Sequence, residues 1–349
     1  MRGLWGLLAT LTFVGVCEAG GVETGTPALT PLPEDDHGIA AKYPGDVGIE
    51  RDPAVVFHDG FEDYAKSSDL RKKWEILHDV RHLRIAEEPA NVYHGKRALE
   101  FVLPQQQEGR AVAVNKILKE ERDVLFLRFY SKYEKGYDHG RGSSHDGGTI
   151  AAHYFPNRQA TPGIPADGHN KFLASFESGR RGNPSPGPLN IYCYHAEQGG
   201  DYGDHFFPTG KVVASRRPGN PMKKTVSFGP EFVSRPDFIP ELDHWYCYEF
   251  MVKANTPGRR DGRIACWVDG KLIADFPNMR LRDVESLKID WFAVGVYLDP
   301  NTTRTNKKWF DDVVAATSYI GPIAEVKEDA PRPRIRHGNP PVRRFPSPG

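Results

Sequence analysis

From residue 55 to residue 316 the chain repeats one pattern: a short run of β-branched, aromatic and aliphatic residues, then a break rich in Gly, Pro, Asn or Asp. The runs are Val55–Phe57, Ala98–Leu103, Ala111–Val114, Val124–Tyr130, Phe172–Phe176, Leu189–Tyr194, Trp245–Val252, Ile264–Val268, Ile289–Leu298 and Phe310–Ala316. Short runs of this composition between turn formers predict strands. Asp269-Gly270, between Val268 and Leu272, supplies the positive-φ pair of a tight hairpin. One segment, Ser67–Trp74, predicts a helix, with Ser68 or Asp69 as its cap. So many strands with so little helix have to bury one face of each sheet against another sheet. The expected fold is all-β: a two-sheet antiparallel β-sandwich of jelly-roll topology, with long loops over a groove.

The flanks have a different composition. Arg2, the apolar run Leu4–Val16 and the small residues around Cys17-Glu18-Ala19 predict a cleaved export signal over 1–19. That run is too short to span a bilayer, and no later stretch is long enough, so no transmembrane segment is expected. Residues 20–51 lack periodicity and are expected to be a linker to a sandwich over 52–322. Residues 323–349 predict a disordered Pro/Arg-rich tail; Pro331–Gly349 alone holds five Arg and six Pro. The expected location is secreted, periplasmic or at the cell envelope, and the expected state is a monomer.

Charge narrows the function. The whole chain carries 46 basic and 46 acidic residues. Without residues 1–19 and 331–349 the body holds 40 basic against 45 acidic, the wrong sign for a nucleic-acid binder. The body's three cysteines, Cys193, Cys247 and Cys266, form no disulfide framework and no Cys-x-x-Cys zinc spacing. No Gly-x-Ser-x-Gly, phosphate loop or dinucleotide fingerprint occurs.

The chemistry is concentrated in the middle strands. In Asn190-Ile191-Tyr192-Cys193-Tyr194-His195, alternation puts Tyr192 and Tyr194 on one face and Ile191 and Cys193 on the other. If the latter pair faces the core, two phenols stand side by side on the open face of a sheet. With Arg180 at the end of the preceding strand, this is the equipment of β-elimination on a uronic acid. A cation offsets the carboxylate, a base takes the C5 proton, and an acid protonates the leaving oxygen. Alternation alone fits equally a sheet surface paved with aromatics.

Ser178-x-Arg180, followed by Tyr192-x-Tyr194, resembles the Ser-x-Arg and Tyr-x-Tyr strand pair of jelly-roll alginate and glucuronan lyases. Gly147-Gly148 is similar to their Gly-Gly-Lys segment. Phe57-His58-Asp59-Gly60-Phe61-Glu62 and Trp309-Phe310-Asp311-Asp312-Val313-Val314 resemble the first and last strands of concanavalin A-like sandwiches. The resemblance implies Tyr192 and Tyr194 as base and acid, Arg180 as neutraliser and Ser178 in substrate binding. It also marks a departure: Thr149 stands where the family has lysine. Lys171 or His153 is then expected to take over, with Arg128, His195 and Asn190 as further substrate contacts.

His139, His145, His153, His169 and His195, with Asp138, Asp146 and Asp167, crowd the same loops without a zinc spacing. Asp59, Glu62 and Asp312, from the two ends of the domain, are the expected ligands of a structural calcium; the chemistry itself needs no cofactor. The resulting expectation is a polysaccharide lyase acting on an acidic, uronate-containing polysaccharide. The alternatives are a non-catalytic lectin-like sandwich and a glycoside hydrolase on the same fold.

Overall fold

The computed structural model describes residues 30–105, 108–140, 145–153, 163–179, 185–214, 232–298 and 302–326. By contacts the chain divides at residue 31, and everything below concerns the unit that begins at Leu32.

Sixteen strands occur among the described residues. They begin with β1 Val55–Asp59, β2 Ile76–His78, β3 Leu83–Ala86, β4 Ala98–Leu103, β5 Arg110–Arg122, β6 Val124–Tyr133, β7 Gly148–Ala152 and β8 Phe172–Ser178. They continue with β9 Leu189–Tyr194, β10 Asp204–Phe206, β11 Val212–Val213, β12 Tyr246–Lys253, β13 Gly262–Val268, β14 Lys271–Met279, β15 Ile289–Leu298 and β16 Asn306–Ala316. One sheet has the order β14-β13-β12-β6-β16-β4-β3, with β1 also on β16; the other has the order β11-β10-β9-β8-β7-β15-β5-β2. The sandwich is that expected from the sequence. The hairpin at Asp269-Gly270 is also as expected, with φ of 48° and 77°. The expected helix is a single 3-10 stretch, Ser67–Lys72.

The core between the sheets is apolar and strongly aromatic. Trp74, Phe101, Phe129, Phe172, Phe250 and Phe292 are all fully buried there or nearly so. A second cluster lies on the outer face of the first sheet, where Phe126, Met251, Ala265, Trp267 and Val314 meet Ile39, Ala40, Ile49, Tyr319 and Ile320. The expected linker is therefore, from Leu32 on, part of the body. Its short turns Ile39–Lys42, Pro44–Asp46 and Ile49–Arg51 cover a sheet face that would otherwise leave large apolar side chains in water.

Polar clasps fix this cover. Glu249 accepts the backbone N–H groups of Ile320 and Gly321, both at 2.8 Å. Burial pushes its carboxyl up to about 7. Arg128, with no exposed surface, donates to Asp46, to the Gly321 carbonyl at 3.2 Å and to the Asp312 carbonyl at 3.2 Å. Arg128 was expected at the groove because it alternates with Phe126 and Tyr130. The alternation holds, but β6 belongs to the other sheet, between β12 and β16, and Arg128 is structural.

No helix among the described residues is long and apolar enough to cross a membrane.

Candidate active site

The second sheet turns one face to the core and the other outward. Ile150, Ala152, Phe172, Ala174, Phe176, Ile191 and Cys193 lie in the core, as the alternation predicted for Ile191 and Cys193. The outward side chains fall into rows set by strand register. Trp291, Ala151, Leu173 and Tyr194 form one row; Ala293, Thr149, Ser175, Tyr192 and His205 form the next. Glu177 and Asn190 pair beyond them.

Tyr192 is the centre of the arrangement. Its ring lies between two imidazoles, with centroids 4.5 Å from His145 and 5.0 Å from His205, and Tyr194 meets it edge-on at 5.5 Å. The backbone N–H of Gly203 donates to its phenol oxygen at 3.1 Å. Each imidazole is anchored in turn. His145 Nδ1 lies 2.6 Å from Glu177 Oε2, and His205 Nδ1 lies 2.9 Å from Asn190 Oδ1 and 3.6 Å from Glu177 Oε1. Glu177 is buried, and burial pushes its carboxyl up to about 7 against the opposing pull of His145. Tyr192 keeps 8% of its surface exposed, whereas Tyr194 keeps none. Lys171 Nζ stands 4.9 Å from the Tyr194 ring centroid, and burial draws its ammonium down to about 8.

Of the residues expected from sequence, Tyr192, Tyr194, Asn190 and Lys171 share this face. Arg180 lies outside the described residues. Thr149 takes its expected place, but its hydroxyl is 2.7 Å from that of Ser175, so a neutral pair stands where the resemblance implies a lysine.

Three expectations are corrected. Ser178 points into the sandwich, because alternation along β8 gives the outward position to Glu177. Its hydroxyl donates to Asp146 Oδ2 at 2.9 Å, within an interior cluster of Asp146, His139, Tyr133 and Lys308. Burial opposes ionisation of Asp146, but Lys308 and His139 outweigh it and hold the carboxyl well below its usual range. His195 likewise faces inward, with Nε2 3.0 Å from Asp204 Oδ2. His153 lies past the end of β7 and turns to the β5–β6 hairpin, where Nε2 is 2.9 Å from Glu121 Oε1. Its contacts go to Glu121 and Asp290 and not to the tyrosines.

The expected calcium ligands do not converge. Asp59 accepts from Phe61 N, Tyr64 OH and Trp74 Nε1 and braces the core. Glu62 accepts the backbone N–H groups of Lys96 and Arg97. Asp312 instead meets Asp46 and His58. Calcium takes six to eight oxygens, whereas this set offers two carboxylates and an imidazole, so it does not fit calcium.

Glu177 and Glu249 give a testable pH dependence. Both carboxyls sit at about 7 in the folded chain against an ordinary 4.5. The folded chain therefore binds more protons than the unfolded chain between those values, and its stability falls as pH rises through about 7. Chemical unfolding is expected to give a lower stability at pH 8 than at pH 5. Each of Glu177→Gln and Glu249→Gln should flatten the profile by up to about 1.4 kcal/mol per pH unit. An unchanged profile in both variants would contradict the assignment.

The sequence matches no family model and no curated protein. Solved structures do resemble the fold. The alginate lyase Aly36B, as a double variant in complex with alginate tetrasaccharide, superposes with a TM-score of 0.54 at 15% identity, covering 77% of this chain and 99% of that one. The marine PL-14 alginate lyase from Aplysia kurodai gives 0.51 at 12% identity, covering 75% and 99%. The sandwich is thus the jelly roll found in alginate lyases.

Proposed function

We propose that this protein is a polysaccharide lyase that cleaves an acidic, uronate-containing polysaccharide by β-elimination on the outer face of β7, β8 and β9. The observation that carries the reading is the Tyr192 phenol. It is held between two anchored imidazoles, with a backbone N–H on its oxygen, in a fold shared with alginate lyases.

In the reaction the C5–H and C4–O4 bonds break, a C4–C5 double bond forms, and one proton passes from C5 to the leaving oxygen. Tyr192 takes and returns that proton, and the Gly203 N–H stabilises the negative charge that builds on its oxygen. His145 and His205 hold the phenol in place and supply polar edges to the sugar. Asn190 fixes His205, and Tyr194 fixes the Tyr192 ring. Arg180 and Lys171 are the cations assigned to the uronate carboxylate. The substrate lies outside the cell, and residues 1–19 export the chain.

One observation favours a second reading. The neutral Thr149–Ser175 pair removes a cation from beside the phenol, which suits a sandwich that binds acidic polysaccharide without cutting it. A continuous absorbance assay for unsaturated uronide against alginate, glucuronan, pectate and glycosaminoglycans separates the two. The lyase reading expects a rising trace with one of them, and an Arg180→Ala chain should cut the rate by about 10²-fold or more. A flat trace with all of them, together with retention on a polysaccharide gel, would replace the lyase by the binding protein.

A further inference from the structure

On the other sheet, away from the tyrosines, three side chains from distant parts of the chain converge: Asp46 from the turn Pro44–Asp46, His58 from β1 and Asp312 from β16. One ligand atom from each lies within 4.8 Å of the other two. Two of these side chains carry buried polar atoms with no hydrogen-bond partner, His58 Nε2 and Asp312 Oδ2. Asp312 is 4% exposed, and its Oδ2 lies 3.6 Å from His94 Nδ1, beyond hydrogen-bond distance. A buried carboxylate oxygen without a hydrogen bond costs several kcal/mol in a well-paired interior, so it marks an unmet partner.

Gly60 borders the cluster, and a Cβ there would stand 3.2 Å from Asp312 Oδ1 and 3.9 Å from His58 Nε2. The charge is also unbalanced. Asp46 and Asp312 are both carboxylates, Asp311 lies beside them, and among the described residues Arg128 is the buried cation in contact. Lys73, Glu50 and His94 stand at the rim.

We propose that His58, Asp46 and Asp312 bind one divalent transition-metal ion of the zinc class, which ties the opening strand β1 and the preceding turn to the closing strand β16. One imidazole with two carboxylates is a donor set for zinc or manganese rather than for calcium or magnesium. Zinc bonds of about 2.0–2.1 Å place donors about 3.3 Å apart, so closing this cluster needs side-chain shifts on the order of 1 Å. His94 Nδ1 stands 3.6 Å from Asp312 Oδ2, at the rim of the cluster. Arg128 stays behind Asp46 and orients its carboxylate, as partners outside a coordination shell do.

The test uses the full chain, stripped by a chelator and dialysed, then titrated separately with zinc, manganese and calcium, with bound metal and thermal unfolding both measured. The expected result is about one equivalent of zinc or manganese with a raised unfolding temperature. Cobalt in place of zinc should give visible absorption bands. His58→Gln and Asp312→Asn should each weaken zinc binding by about tenfold or more. Gly60→Ala keeps every donor, and its methyl, 3.2 Å from Asp312 Oδ1, should also weaken zinc; the unfolding of each metal-free variant, measured alongside, separates lost binding from lost folding. No stoichiometric zinc or manganese, binding of calcium in their place, or a His58→Gln chain with undiminished affinity would each overturn the proposal. None of these outcomes bears on Tyr192, so the lyase reading stands or falls separately.

Discussion

A Tyr192→Phe chain is expected to form unsaturated uronide about 10²–10⁴-fold more slowly than the parent, while folding normally and still binding the polysaccharide. The substitution leaves the ring where it is, against His145, His205 and Tyr194. It removes the phenol oxygen that accepts from Gly203 and that exchanges the proton in the proposed step. Loss of one such hydrogen bond costs about 1 kcal/mol, too little to unfold a domain of this size. The effect should fall on kcat and leave KM nearly unchanged, because the hydroxyl acts in the transition state more than in the bound complex. Tyr194→Phe is the control. Tyr194 is fully buried beside Lys171, so its loss should act through packing and reduce the rate far less. A Tyr192→Phe chain that keeps more than a tenth of the parental rate would show that the phenol transfers no proton. The two imidazoles would then be the groups to test.

How much of this face was legible in sequence follows from how each residue is positioned. Tyr192 and Tyr194 were legible because alternation is local: once Ile191 and Cys193 are apolar enough to be buried, the phenols must point outward. The bounds of Leu189–Tyr194 and Ile289–Leu298 were legible for the same reason. Glu177 was not. Its strand, Phe172–Ser178, is buried at every position, and only the pairing of Glu177 with Asn190 and of Ser175 with Tyr192 reveals which side it serves. His205 lies in a three-residue strand too short to show any period, and its place beside Tyr192 comes from the β9–β10 register. The short strands β2, β3, β7, β10 and β11 escaped for that reason too: two to five residues are too few to show a period.

Arg128 shows the opposite failure. Its alternation with Phe126 and Tyr130 was read correctly, but which of two sheets receives a strand is decided by partners more than a hundred residues away, β12 and β16. The same dependence on distant partners hid the cover of the outer face. Residues 32–51 have no period because they form turns, and they are buried because a neighbouring sheet presents Phe126, Met251 and Trp267 to them.

That placement makes Arg128 the residue whose loss should cost the fold most. Arg128→Met keeps much of the aliphatic volume and removes the guanidinium. Asp46, 3% exposed, is then left without the ion pair that offsets its burial, and the carbonyls of Gly321 and Asp312 lose donors at 3.2 Å each. Breaking one side of a buried ion pair costs about 3–5 kcal/mol, more than the pair itself contributes, because the stranded charge has no access to water. Denaturant unfolding of the metal-free chain should show a loss of that size. Because Arg128 joins Asp46, β16 and the Gly321 segment, amide exchange should quicken first in residues 39–51 and 319–323 while β8 and β9 stay protected. The double variant Asp46→Asn with Arg128→Met should recover most of the loss, since no charge is then stranded and asparagine tolerates the left-handed backbone at this position (φ 55°). A single variant within about 1 kcal/mol of the parent would mean that water reaches Asp46 and that the outer cover is held by its apolar contacts alone. A double variant no better than the single one would place the cost in the lost carbonyl hydrogen bonds and not in the stranded carboxylate.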